Sequence, residues 1–440
     1  MVLALSLIGL AVAIIVGNVS KINVGVIAMS IAFFIGVWGL GLSVSDVINF
    51  WPIRIMFFLV AIGLLFGYAI ETGTLDLLSK KMLYAVGGNA KILPFAVFLL
   101  TGIVDVLGAG GSTPGIMAPI VIPMMVTAGL SPVMGAISIC MGAFVFGSNP
   151  INGFGGVVGL GLLEQNYGYD AAFESTMYQF VSVIIACILF QIIAYFVLGC
   201  HKAKKVEMPE KPEPFKGEQK IALGIMIGAL CLMFFPVMFS MFFPGIAWLK
   251  ALADICQPQS IMVVAALVCM ALRLADQKKI VAAIPWNTII QICGVCIMVG
   301  VATEAGLGDA IASIVGHEDF PVWLIAPLLA LFCGFLTFFS SMTSVVFPIA
   351  YAVVPSIAAA TGLNPVGLLC AVWCGCMAAG MSPFSLAGAL IVGSTPKELQ
   401  DGLVTKQLIY TIVGIIFGTL LSATGIWNIF PDCLTPVLAA

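Results

Sequence analysis

The stretch Gly147-Ser148-Asn149-Pro150-Ile151-Asn152 lies in an otherwise apolar run, and Gly380-Met381-Ser382-Pro383-Phe384-Ser385 repeats its pattern 233 residues later. Gly, Ser, Asn and Pro interrupt a membrane helix and free backbone N–H and C=O groups that hydrocarbon cannot satisfy. Such breaks persist only where protein or a polar cavity surrounds them. Breaks at matching places in two halves point to a solute site near the bilayer midplane.

The register extends outward from the breaks. Pro52 matches Pro285, Gly67 matches Gly300, Glu71 matches Glu304, Gly73 matches Gly306 and Asp76 matches Asp309. Gly129-Leu130-Ser131-Pro132 matches Gly362-Leu363-Asn364-Pro365, and Gly155 matches Gly388. Apolar identities arise by chance in so apolar a chain. Gly, Pro and acids in one register over about a hundred positions read as an internal duplication.

Composition sets the class. Of 440 residues, 62% are hydrophobic and 8% charged, against ~25% charged in soluble domains. This is a polytopic membrane protein, and the placement of its charges matters more than their net value of −3. Its thirteen cysteines scatter through apolar segments. Cys293-x-x-Cys296 and Cys374-x-Cys376 lie in helical runs and read as small packing residues. The two histidines, His201 and His317, fall in predicted loops, which argues against a His-based metal or catalytic centre. The apolar N-terminus has no basic leading region or small-residue cleavage site, and reads as a retained first helix.

A helical span needs ~20 apolar residues. The first half (1–200) offers 2–18, 22–41, 52–71, a broken helix at 132–164, and 173–199. The second (219–430) offers 219–239, 257–275, 284–303, a broken helix at 365–395, and 406–430. Between these lie two apolar segments with polar tips, 92–128 and 320–360, whose arms barely reach a span's length and so read as re-entrant hairpins. The amphipathic stretches 75–86 and 307–316 read as helices at the interface. Residues 201–218 read as a linker and 431–440 as a tail. The expected fold is therefore all-α, with two repeats of five spans plus one re-entrant hairpin each. The odd count inverts the second repeat relative to the first. With both termini outside, fifteen of the seventeen Lys and Arg residues become cytoplasmic, leaving only Arg54 and Lys250 outside. That bias supports an inner-membrane, multi-pass topology in which the linker is cytoplasmic.

Hairpin tips and broken helices should converge near the membrane centre. Helix N-termini there favour an anion, and freed carbonyls and hydroxyls suit a hard cation such as Na⁺. The candidate binding residues are Gly111, Ser112, Thr113, Ser148, Asn149, Pro150 and Asn152 from the first half. Ser340, Ser341, Thr343, Ser344, Ser382, Pro383 and Ser385 come from the second. Single Ser, Thr or Gly residues also serve simply to let membrane helices pack closely; clusters in four related breaks favour a site. Asp105 is the one acid inside a predicted membrane segment and a candidate ion or proton site, or a brace for its hairpin tip. Its register partner, Phe338, is apolar. No Lys or Arg lies in the core of any predicted span. Glu71 and Glu304 sit at span ends as interfacial caps. Gly108-Ala109-Gly110-Gly111-Ser112-Thr113 lacks the Gly-Lys-Ser/Thr ending of a phosphate loop. No nucleophile–base set is visible, so enzymatic chemistry, a cofactor and nucleic acid are not expected.

The order of elements resembles the ion transporter superfamily and, within it, the divalent anion:sodium symporters. The stretch from Lys21 to Ala28, with Phe50-Trp51-Pro52 and Tyr68-Ala69-Ile70-Glu71-Thr72-Gly73-Thr74-Leu75, is similar to MatC-type dicarboxylate carriers. The symporter family carries Ser-Asn-Thr at its hairpin tips. The matching positions here read Gly111-Ser112-Thr113 and Ser341-Met342-Thr343, without the central Asn. The resemblance implies an elevator-type homodimer with a static scaffold, the first three spans of each half, and a moving transport unit. It also implies Na⁺-coupled uptake of small dicarboxylates of the malonate, succinate and malate class. Proton-coupled uptake of a monocarboxylate or sulfonate, a cation/proton exchanger and a channel are the alternatives.

Overall fold

The computed structural model describes residues 2–85, 89–203, 211–243, 246–315, 317, 321–393, 395 and 397–434. Residues 204–210 of the linker, the tail from 435, residue 320 of the second hairpin and residue 394 of the second broken helix thus lie outside the described residues. Among those described there is no strand. The first half runs α1 (Val2–Ser20), α2 (Val24–Phe33), α3 (Val44–Asn49), α4 (Ile53–Glu71), α5 (Thr74–Ala85), α6 (Leu93–Val104), α7 (Thr113–Thr127), α8 (Pro132–Gly147), α9 (Phe154–Tyr167) and α10 (Tyr169–Val197). The second runs α11 (Gly217–Phe242), α12 (Ala247–Ile255), α13 (Pro258–Ala271), α14 (Gln277–Ala283), α15 (Trp286–Glu304), α16 (Leu307–Val315), α17 (Ile325–Phe339), α18 (Phe347–Thr361), α19 (Pro365–Cys376), α20 (Leu386–Gly393) and α21 (Lys397–Ala423).

The boundaries obey the register of the sequence. Helices α4 and α15 both start and end 233 residues apart, and α5/α16 and α8/α19 start at that offset. Packing is reciprocal as well: α2 lies on α15 while α13 lies on α4, and α10 lies on α19 while α21 lies on α8. Phe50, just before α4, meets Gly300 near the end of α15, and Gly67 near the end of α4 meets Ala283, just before α15. The two counterpart helices therefore run antiparallel. Where α2 crosses α15, a Cβ on Gly25 would fall 2.2 Å from the Ile290 carbonyl oxygen, and one on Gly294 would fall 2.1 Å from that of Gly25. Only glycine permits that crossing, which sets the depth at which the two helices interlock.

Seven described helices are long and apolar enough to cross a membrane: 53–71, 169–197, 217–236, 277–304, 322–339, 342–361 and 402–423. Five fall on expected spans. The other two are the arms of the second hairpin, which at 18 and 20 residues barely reach a span's length, as expected. Helix length alone does not separate an arm from a span, because the return at Ser340–Ser341 is invisible to hydropathy. The expected spans at 2–18, 22–41 and 257–275 are helical but shorter, each with 10 to 17 suitable residues. In the second of these, α2 continues through a π-helical turn at Phe34–Gly39. Both broken helices split where expected, and α5 and α16 cover the expected amphipathic stretches up to 85 and 315, with 86 and 316 outside the described residues. The sequence reading placed no element at α12. There Trp248 and Ile255 are exposed while Leu249 is buried, the sidedness of a helix lying along an interface.

Candidate functional site

The two hairpin tips are built differently. In the first, α6 widens into a π-helical turn, Asp105–Ala109, and then a 3₁₀ turn, Gly110–Ser112, before α7 begins at Thr113. Gly110 adopts φ +47°, a left-handed value that suits glycine. In the second, α17 stops at Phe339, the chain turns at Ser340–Ser341, and the π-helical turn Met342–Val346 leads into α18. The distortion thus precedes the turn in one tip and follows it in the other, so Asp105 has no structural twin.

Asp105 is buried, and its Oδ1 accepts a 2.8 Å hydrogen bond from Thr113 Oγ1. The bond clasps the two arms of the hairpin across its tip. Oδ2 faces Gly147 at the end of α8. At the second tip, Ser341 Oγ accepts from the Ser344 backbone N–H at 3.3 Å and donates to Ser344 Oγ at 3.0 Å, while Ser340 Oγ donates to the Leu336 carbonyl at 2.8 Å.

The breaks are braced from within. Asn149 Oδ1 accepts from the backbone N–H groups of Ile151 (3.1 Å) and Asn152 (3.0 Å), and its amide donates to the Phe146 carbonyl at 2.5 Å. Asn152 ties the break to the first tip by donating to the Val106 carbonyl at 2.8 Å. Ser148 donates to the Val145 carbonyl at 2.7 Å. In the second break, Ser382 Oγ accepts from the Phe384 N–H at 3.2 Å, and Ser385 Oγ donates to the carbonyls of Gly380 and Ser382. Each break then folds back so tightly that a Cβ on Gly156 would lie 2.1 Å from the Asn149 carbonyl oxygen, and one on Gly388 2.0 Å from that of Ser382.

These four elements enclose one cavity of about 810 Å³. Of the sequence-predicted residues, Asp105, Gly111, Ser340, Ser341, Thr343, Ser344 and Ser385 line it. Thr113, Ser148, Asn149, Pro150, Asn152, Ser382 and Pro383 do not. They stand behind the wall: Thr113 bonds across the tip, Ser148, Asn149 and Ser382 bond within the breaks, and Asn152 donates its amide to Val106 while its Oδ1 is left buried without a partner. Ser112 lies in the tip turn, with its side chain outside the described residues. Among the described residues, Asp105 is the sole carboxylate of the lining, which contains no Lys, Arg or His. Four helix starts edge the cavity: Pro114 and Gly115 of α7, Phe154 and Gly155 of α9, Met342–Ser344 leading into α18, and Ala387 of α20. Their N–H groups carry the positive ends of helix dipoles.

The opposite wall comes from α4 and α15. Ile62, Gly63, Phe66, Gly67 and Ile70 are apolar, whereas Asn287, Thr288 and Gln291 are polar. Asn23 fixes Asn287 by donating to its carbonyl and its Oδ1, both at 2.7 Å. Just beyond the rim, Lys279 pairs with Glu71 at 2.6 Å.

Sequence reasoning missed both this polar wall and the indole of Trp373. Trp373 lines the cavity against Phe347 and Phe144. Its Nε1–H donates to Gln179 Oε1 (2.8 Å) and to Tyr351 Oη (2.9 Å), and the tyrosine donates in turn to Gln179 at 2.5 Å. Three helices from both halves are pinned at that point. A Gln inside an apolar 29-residue helix was the available signal.

The family described as the dicarboxylate carrier protein MatC N-terminus matches residues 1–147. No curated protein matches the chain by sequence. Among solved structures, the Alcanivorax borkumensis YdaH transporter aligns with a TM-score of 0.56 at 12% identity, over 89% of this chain and 88% of that one. Neisseria gonorrhoeae MtrF, described as illuminating a class of antimetabolite efflux pumps, aligns with a TM-score of 0.50 at 12% identity, over 87% and 82%. The chain is a multi-pass membrane protein that shares its fold with these transporters, and its first third is similar to dicarboxylate carriers.

Proposed function

We propose that the protein is a secondary carrier of small dicarboxylates, of the malonate, succinate and malate class, coupled to Na⁺. The carrying observation is the cavity itself: four helix N-termini around a space with one carboxylate and no cationic side chain. Helix starts attract the anion. With no Lys or Arg to balance a dianion, a co-bound cation completes the charge. Asp105, beside the carbonyl-bearing end of α8, supplies the oxygen ligands such a cation needs. The similarity of residues 1–147 to dicarboxylate carriers supports the substrate class.

The reciprocal packing and antiparallel run of α4 and α15 support an inverted repeat. In this reading the helices α1–α4 and α11–α15 form a scaffold, against which the hairpins and broken helices move as an elevator within a homodimer. The lysine-rich end is cytoplasmic. The cavity reaches the rim near Glu71 and Lys279, so this conformation faces inward. A second reading, coupling to protons through Asp105, rests on that residue being the only acid in the lining.

A thermal-shift series on purified protein tests the leading reading. Succinate in Na⁺ should raise the melting temperature, and succinate in K⁺ should not, because a ligand bound only by the native state stabilises it by mass action. Equal shifts in the two salts, with a dependence on pH, favour the proton reading.

A further inference from the structure

Adding 233 to Arg54, Ile55 and Phe58 gives Asn287, Thr288 and Gln291. The last three line the 810 Å³ cavity, whereas the first three line a crevice of about 30 Å³. Ile151 and Val157 of the crevice likewise correspond to Phe384 and Leu390 of the cavity. The cavity and the crevice are thus the same seam in the two halves, one open and one shut. They lie at opposite ends of the molecule, since Arg54 and the rim residue Ile70 are separated by most of α4, roughly 24 Å at 1.5 Å per residue. Gly161 lets α9 close on Ile55 at the shut seam, and Arg54 Nη1 is ion-paired with Glu164 across it. The carboxylate is largely covered at 14% exposure, while the guanidinium is 70% exposed. Among the described residues lining both seams, Arg54 is the only cationic side chain.

We propose that Arg54 is the anion-capture residue of a second vestibule, formed when the shut seam opens, and that its pair with Glu164 is the latch of the shut state. This rests on the carrier reading. Opening the seam as widely as its counterpart separates Arg54 from Glu164. The guanidinium then faces a water-filled entrance, and a planar, two-pronged donor of this kind matches a carboxylate. A carboxylate of the arriving solute takes the place of Glu164, so binding and opening favour each other. The counterpart position holds neutral Asn287, so the capture step at the Arg54 end has no equivalent side chain in the other seam.

The test uses the full-length protein in proteoliposomes, with succinate offered from either side. Arg54→Gln should raise the KM at the Arg54 end about tenfold, the scale of one charge-assisted hydrogen bond, and leave the other KM within about twofold. Arg54→Lys should fall between. A folding defect would move both values together, so equal changes at both ends, or no change at either, overturn the proposal. A transport-free readout separates its failure from that of the carrier reading. Leu160→Cys, in the crevice wall, is treated with anionic sulfonatoethyl and cationic trimethylammonium-ethyl methanethiosulfonates, against the parent protein's own cysteines. Glu164→Gln should speed modification, and the anionic reagent should be preferred only while Arg54 is present. No preference in the Glu164→Gln background overturns the capture role even if succinate is carried. A clear preference with no succinate transport upholds it and rejects the substrate.

Discussion

Asp105 and Thr113, eight residues apart on the two arms of one hairpin, close its tip with a single 2.8 Å hydrogen bond between buried side chains. The clasp uses one carboxylate oxygen and leaves the other beside Gly147. Asp105→Asn keeps an oxygen that accepts from Thr113, so the hairpin should stay closed, with little change in melting temperature in K⁺. It removes the charge, so stabilisation by Na⁺ should vanish. Thr113→Val should do the reverse, lowering the melting temperature by the loss of about 1.5–3 kcal/mol while Na⁺ still stabilises what remains folded. Melting curves of both variants in Na⁺ and K⁺ check this pair. An unchanged Na⁺ response in Asp105→Asn would remove Asp105 from the cation site.

The two breaks should differ in sensitivity. Asn149 satisfies two backbone N–H groups and Ser382 only one, at a longer 3.2 Å. Each buried donor left unpaired costs about 1–3 kcal/mol. Asn149→Ala should therefore destabilise more than Ser382→Ala, and both should act through stability rather than through direct loss of a solute contact. Gly156→Ala and Gly388→Ala should be severe as well, since overpacking costs about 1–3 kcal/mol, whereas Gly224→Ala, with nothing within 4 Å of the new methyl, should be neutral. Thermal stability measured beside substrate affinity decides. Normal stability with abolished binding in Asn149→Ala would place that side chain at the solute.

Much of this was legible in the chain because it is written in backbone requirements. Pro at the helix starts, Gly at the folds and polar residues at the breaks follow what the backbone needs in hydrocarbon, so the helix ends at both breaks and the 233-residue register of the helix starts could be read. What the sequence concealed was direction. Asn149 and Ser382 were expected to face a solute because they are polar, yet a break must first satisfy its own freed N–H groups, and these side chains are consumed there. Gln179, Tyr351 and Trp373 lie far apart in sequence and meet only when α10, α18 and α19 pack. The second hairpin's arms passed the length test for spans, because hydropathy reports how apolar a segment is and not where it turns back.

Orientation follows from the lysines. A reporter inserted after Lys202 should read cytoplasmic, and one inserted after Gly425 external. Five expected membrane spans separate the two points, so finding both on one side would contradict the inverted arrangement.

The most direct test of the central claim is counterflow in proteoliposomes loaded with unlabelled succinate and exposed to a trace of labelled succinate. A carrier that exposes one site alternately to each side exchanges one molecule for another, so label should accumulate transiently above equilibrium. In this account the overshoot appears with Na⁺ on both sides and is absent with K⁺. Label that enters without overshoot, or an overshoot of equal size in the two salts, would contradict Na⁺-coupled carriage through this cavity.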